Sequence, residues 1–165
     1  MVTPRLETLC TALAQVLIAR KLSMVSAESC TGGLIAASCT QLSGSSVWFD
    51  RGFVTYSNAS KTDMLSVPAD LIVQHGAVSE AVAKAMAMGA LIHSTADICV
   101  AVTGIAGPTG GSYEKPVGTV WLAWAQRSNG LCSAVHKVFS GDRQAVRVAT
   151  TELALAQLIN LLRQT

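Results

Sequence analysis

Ile98, Cys99, Val100, Ala101 and Val102 form an unbroken apolar run, followed at once by the glycine-rich stretch from Thr103 to Gly111. A strand that is apolar on both faces has to be covered on both faces. The run therefore calls for a sheet with helices above and below it, and the flanking sequence supplies them. Thr3-Pro4 reads as an N-cap with proline at the first helical position. Leu6, Leu9, Leu13, Val16 and Leu17 then mark one apolar stripe of a helix reaching about Arg20. A strand is predicted from Leu22 to about Ala27, then a turn to Gly33 and a helix to about Leu42.

Val47 to Tyr56 is rich in aromatic and β-branched residues and predicts a second strand, with a bulge at Gly52. Short helices are predicted from Ser57 to about Leu65 and after Pro68. A longer one starts at Ser79-Glu80, with Val82, Ala85, Met86 and Gly89 on one face. Val117 to Ala125 and Cys132 to Phe139 predict a hairpin turning at Asn129-Gly130. Ser140-Gly141-Asp142 caps a final helix that is apolar on almost every side. Helices alternating with strands, plus a terminal hairpin, predict one α/β domain over residues 1–165: a three-layer α/β/α arrangement with a mixed sheet.

Only 13% of the 165 residues are charged and 50% are hydrophobic, about half the usual charged share. So little charge, together with the all-round apolar final helix, predicts a homo-oligomer. A net charge of +2 without a basic cluster or aromatic ladder gives no nucleic-acid partner. No run of about 18 predominantly apolar residues is evident, so no membrane span is expected. The first seven residues lack a signal-peptide pattern. Five cysteines without a Cys-x-x-Cys pair, and three well-separated histidines, support neither a disulfide framework nor a metal site. No metal or cofactor is expected, and a reducing cytoplasm fits best.

Three hydroxyl- or glycine-rich loops compete for function. Ala27-Glu28-Ser29-Cys30-Thr31-Gly32-Gly33 joins a strand to a helix start, a generic anion site whose plain alternative is a capped helix. Gly32 and Gly33 would let a ligand approach the backbone, and Ser29 and Thr31 bring hydroxyls. Gly44 to Ser46 is a second loop. The third, Thr103 to Gly118, places glycines at Gly104, Gly107 and Gly110, which fits neither a dinucleotide fingerprint nor a Walker loop. Without a G-x-S-x-G elbow, a serine nucleophile needs another base, and a neutral lysine can serve. Lys61 is the candidate, with burial and a guanidinium such as Arg143 to lower its pKa. The plain alternative is a surface lysine at a helix start. A second enzyme reading makes Cys30 the nucleophile, with Lys61 and Glu28 or Asp50 as partners.

The strings Ala27 to Gly33, Val54-Thr55-Tyr56-Ser57-Asn58, Gly76-Ala77-Val78-Ser79-Glu80, Ala101 to Pro108, Lys115 to Val120 and Phe139-Ser140-Gly141-Asp142-Arg143 resemble the CinA C-terminal domain family in sequence and order. The resemblance covers almost the whole chain. It implies an amidohydrolase that converts nicotinamide mononucleotide and water to nicotinate mononucleotide and ammonia through a Ser–Lys pair. Carried onto these residues, it implies Lys61 as base and Ser46 as nucleophile. Ser29 is the alternative nucleophile and otherwise a substrate ligand, and Tyr56 joins them in catalysis. It implies Thr31, Gly32, Thr103, Gly104 and Arg143 as substrate-binding residues, Thr31, the helix start and Arg143 facing the phosphate. Phe53 departs from the commonest family pattern after Gly52. A competing reading is a non-catalytic nucleotide- or partner-binding module that keeps the fold and has lost turnover.

Overall fold

The computed structural model describes residues 2–164. In chain order its elements are α1 (Pro4–Arg20), β1 (Met24–Glu28), α2 (Leu34–Thr40), β2 (Phe49–Val54), α3 (Asn58–Leu65), α4 (Ala69–His75), α5 (Glu80–Ile92), β3 (Ile98–Gly104), β4 (Thr119–Gln126), β5 (Cys132–Val138) and α6 (Arg143–Gln164). The strands make one sheet in the order β2-β1-β3-β4-β5. β1 runs parallel to β2 and β3, whereas β4 runs antiparallel to both of its neighbours, β3 and β5. The predicted mixed sheet between two helical layers is therefore present.

β3 sits in the middle, buried along its length up to Gly104, as its unbroken apolar sequence requires. Its side chains alternate between two cores. Ile98, Val100 and Val102 join the core with α1, α2 and α6, while Cys99 and Ala101 join that with α3, α4 and α5. Phe53, the departure from the family pattern, packs at the edge of the second core.

Three local expectations need correction. Residues Ser45–Val47 form a short 3-10 turn, so β2 starts at Phe49 and not at Val47. The bulge lies at Asp50, because Met24 pairs with Phe49 and Val25 with Arg51. Gly52 serves close packing instead: a Cβ there would stand 2.9 Å from that of Ala36 and 3.0 Å from Ser26 Oγ. The third correction concerns α6, which by length and composition alone is apolar enough to cross a membrane, contrary to the absence of such a run expected from sequence. Eight of its residues, from Val146 to Leu162, are buried against α1 and the sheet. Val148, Leu153 and Leu161 pack at the edge of the same core. Its all-round apolar character is met largely within one chain and does not by itself demand a second subunit.

The parallel half of the sheet fixes where chemistry can gather. The carboxyl ends of β1, β2 and β3 lie side by side, and the start of α6 meets them there. The turn after β1, the Thr55–Ser57 segment after β2 and the glycine loop after β3 thus face one another.

Candidate active site

Lys61 is placed by the first turn of α3. Ser57 caps that helix, its hydroxyl accepting from the Ser60 N–H, while the Ser60 hydroxyl returns to the Ser57 N–H. One residue further on, Lys61 turns inward and is only 1% exposed. Its Nζ lies 3.0 Å from Ser29 Oγ and 2.8 Å from the Thr55 carbonyl oxygen. No acidic side chain pairs with it among the described residues. Burial lowers its pKa from the ordinary lysine value, since a cation loses hydration there. Of the two causes expected from sequence, burial is the one at work, and the Arg143 guanidinium is not.

Ser29 is held from the other side. Its N–H donates to the Val102 carbonyl, extending the β1–β3 ladder by one residue. Its own carbonyl accepts the Gly32 N–H at 3.0 Å, closing a tight turn with Cys30 and Thr31 at its centre. Gly32 has φ +58°, a left-handed conformation that suits glycine. Glu28, fully buried, lies beneath the turn. Its carboxylate accepts from Ser26 Oγ at 3.2 Å, Thr31 Oγ1 at 2.7 Å, and the N–H groups of Ile35 and Ala36 at 3.0 and 2.9 Å. The exposed donors of the α2 start are therefore already occupied by a carboxylate of the chain itself.

The glycine loop and α6 form the opposite wall. Arg143 donates through Nη1 to the Gly107 carbonyl at 2.8 Å and through Nη2 to the Tyr56 hydroxyl. Between these groups and Ser29 opens a cleft of about 270 Å³, bordered also by Cys30, Gly104, Ala106, Thr109 and Gly110. Among the described residues, the backbone N–H groups of Ala106, Gly107, Thr109 and Gly110 have no hydrogen-bond partner. Arg143 is the one ionisable side chain on this border besides Tyr56 and Cys30. The cleft therefore suits an anionic group better than a cationic one.

The structure brings together Ser29, Lys61, Tyr56, Gly104 and Arg143 of the residues singled out from sequence. It does not bring Ser46 to Lys61, and that expected pairing is corrected. Ser46 is exposed in the turn before β2. Because β1 and β2 are parallel, this is the opposite end of the sheet from Ser29; five strand residues span about 16 Å. Thr31 is fully buried, with its hydroxyl committed to Glu28, and Gly32 lies in the same turn without bordering the cleft. Thr103 is likewise buried and donates to the Ala77 carbonyl at 2.8 Å, holding the loop before α5. These three are not positioned as direct substrate ligands. Cys30 borders the cleft, but burial pushes its thiol up to about 12, the reverse of an activated thiolate. Asp50, its suggested acid, is paired with Arg51 instead. Sequence reasoning missed the Thr55 carbonyl, the structural duty of Glu28, and Arg147, which donates to the Thr31 carbonyl through Nε and Nη2 at 3.1 and 2.7 Å. Among the described residues no three His, Cys, Asp or Glu side chains gather as a metal site.

Comparison with known proteins adds an independent line. The family model described as the CinA C-terminal domain matches residues 6–162. The nicotinamide-nucleotide amidohydrolase PncC of Escherichia coli (strain K12) is 52% identical over 147 residues, 88% of either chain. That of Pseudomonas putida is 50% identical over 156 residues, 94% of this chain and 96% of its own. The crystal structure of the competence/damage inducible protein CihA from Agrobacterium tumefaciens superposes with a TM-score of 0.94 at 46% identity, covering 98% of each chain.

Proposed function

The chain belongs to the CinA C-terminal domain family, and from that premise we propose that it is a nicotinamide-nucleotide amidohydrolase with Ser29 as nucleophile and Lys61 as base. The observation that carries the mechanism is the 3.0 Å contact between Lys61 Nζ and Ser29 Oγ at the bottom of a cleft. A buried lysine with no acid beside it gives up its proton more readily than a free one. When it is neutral the contact reverses, and the Ser29 hydroxyl donates to Nζ.

Lys61 takes that proton as Ser29 Oγ attacks the carboxamide carbon of nicotinamide mononucleotide. The C–O bond forms and the carbonyl pair moves to oxygen. Backbone N–H groups of Cys30 and the glycine loop hold the oxyanion, a contribution often worth about 3 to 4 kcal/mol. The Lys61 ammonium then protonates the departing nitrogen, the C–N bond breaks and ammonia leaves. Water, deprotonated by the same lysine, hydrolyses the ester to nicotinate mononucleotide and frees Ser29. The phosphate lies against Arg143 and the unpartnered N–H groups of Gly107, Thr109 and Gly110. Arg143 keeps donors to spare, since the Gly107 carbonyl and the Tyr56 hydroxyl engage two of its five N–H groups. The α2 start plays no part in this, because Glu28 fills it.

A homo-oligomer and a reducing compartment complete the proposal, on the scarcity of charge and on five free cysteines. A coupled assay for ammonia with nicotinamide mononucleotide tests the reaction. Steady release is the expected result; tight binding without release would make the chain a nucleotide-binding module.

A further inference from the structure

We infer that Arg147 is a positioning residue that sets the backbone donors around Ser29, a role resting on the hydrolase reading above. The turn from Ser29 to Gly32 has Cys30 and Thr31 at its centre, and no carbonyl takes the N–H of either among the described residues. An oxyanion formed on a Ser29 adduct finds its nearest backbone donor there, in the residue after the nucleophile. The direction of those N–H bonds depends on what holds the turn. Thr31 is gripped from two sides: its hydroxyl donates to Glu28, and its carbonyl accepts both Nε and Nη2 of Arg147. The Thr31–Gly32 peptide is thereby pinned at each end, its carbonyl on Arg147 and, at 3.3 Å, on the Leu34 N–H, and its N–H on the Ser29 carbonyl.

Two features single out Arg147 from an ordinary packing arginine. It is half-buried, yet no carboxylate lies within ion-pair distance among the described residues. A charged fork directed at one carbonyl holds it more tightly and with better-defined geometry than a neutral donor. The second feature is its spacing from Arg143, one helical turn earlier on the same face of α6. Arg143 fixes the Gly107 carbonyl and Arg147 the Thr31 carbonyl. One rigid helix therefore ties the nucleophile turn to the glycine loop, the two backbone segments that face each other across the cleft. At Gly32 a Cβ would stand 3.7 Å from Arg147 Nη2, so the guanidinium packs directly against the turn.

The test uses the full chain with Arg147→Met, Arg147→Lys and Arg147→Ala, each assayed for ammonia release from nicotinamide mononucleotide. Arg147→Met is expected to lose about 10- to 100-fold in kcat while KM stays within about twofold. Its pH profile should keep the wild-type apparent pKa, because Lys61 retains both its partners. Arg147→Lys should recover part of the rate, and guanidinium ion in the buffer should do the same for Arg147→Ala. An independent readout is the rate at which a fluorophosphonate labels Ser29, followed by intact mass. Labelling slowed in Arg147→Met, in an enzyme whose wild type does not hydrolyse the nucleotide, would keep this role and overturn the substrate. Unchanged kcat and labelling in Arg147→Met, or a rate loss that comes with a shifted pH profile, would overturn the role. Absence of both turnover and labelling in the wild type would overturn both.

Discussion

Lys61 and Ser29 are the residues whose chemistry can be isolated one side chain at a time. Lys61→Met keeps the apolar stem and removes the nitrogen that bonds Ser29 Oγ, so kcat should fall about 1,000-fold or more. Ser29→Ala should fall as far, and the double variant hardly further, since the two act as one unit. Ser46→Ala should keep nearly the wild-type rate; steady-state assays in which Ser46→Ala is dead and Ser29→Ala active would reverse the assignment. The pH dependence follows from burial. Only neutral Lys61 accepts the serine proton, so the rate should rise with pH through an apparent pKa below that of free lysine. The same shift acts on stability. The unfolded chain binds the Lys61 proton more tightly than the folded one, so this residue's contribution rises as pH climbs from the folded pKa to the ordinary lysine value. Lys61→Met removes that slope, and urea unfolding at several pH values should show the difference narrowing where wild type is deprotonated. Lysine at 61 was legible in the sequence because few charges stand near it in the chain. The serine was not: both candidates follow or precede a strand, and only the parallel pairing of β1 with β2 says which end of the sheet each occupies.

At the level of elements, the start of α2 shows how a correct motif can carry the wrong duty. Strand, glycine turn and helix N-terminus are all present, but the anion they attract is the Glu28 carboxylate and not a ligand. Glu28→Gln would replace one acceptor oxygen with an NH₂ group facing donors. A loss of about 2 to 3 kcal/mol is expected in urea unfolding, with kcat falling as the Ser29 turn loosens; an unchanged midpoint would show that α2 holds its position without this carboxylate. The strand and helix spans were readable because periodicities of 2 and 3.6 are local properties of sequence. The bulge at Asp50 and the close packing of Gly52 were not, because register and the approach of Ala36 belong to partners far along the chain. Thr31 and Thr103 were misread for a related reason. A hydroxyl near a loop suggests a ligand until the carboxylate or carbonyl that already takes it comes into view.

For the molecule as a whole, the shortage of charge remains after α6 has been buried by its own chain. Light scattering at micromolar concentration should therefore give a mass above that of one chain, and a monomer would remove the oligomer from the proposal. The placement of α6 has a consequence for truncated forms of the chain. Ser29 and Lys61 lie in the first 61 residues, but the arginines that steady their surroundings stand at 143 and 147. α6 is also the helix that covers Leu13, Leu17 and Trp124 in the first core. A chain lacking it would leave that core open and would lose the arginine ties to the Gly107 and Thr31 carbonyls. A chain cut before Arg143 should therefore release no ammonia from nicotinamide mononucleotide, because nothing then bridges the glycine loop and the Ser29 turn across the cleft.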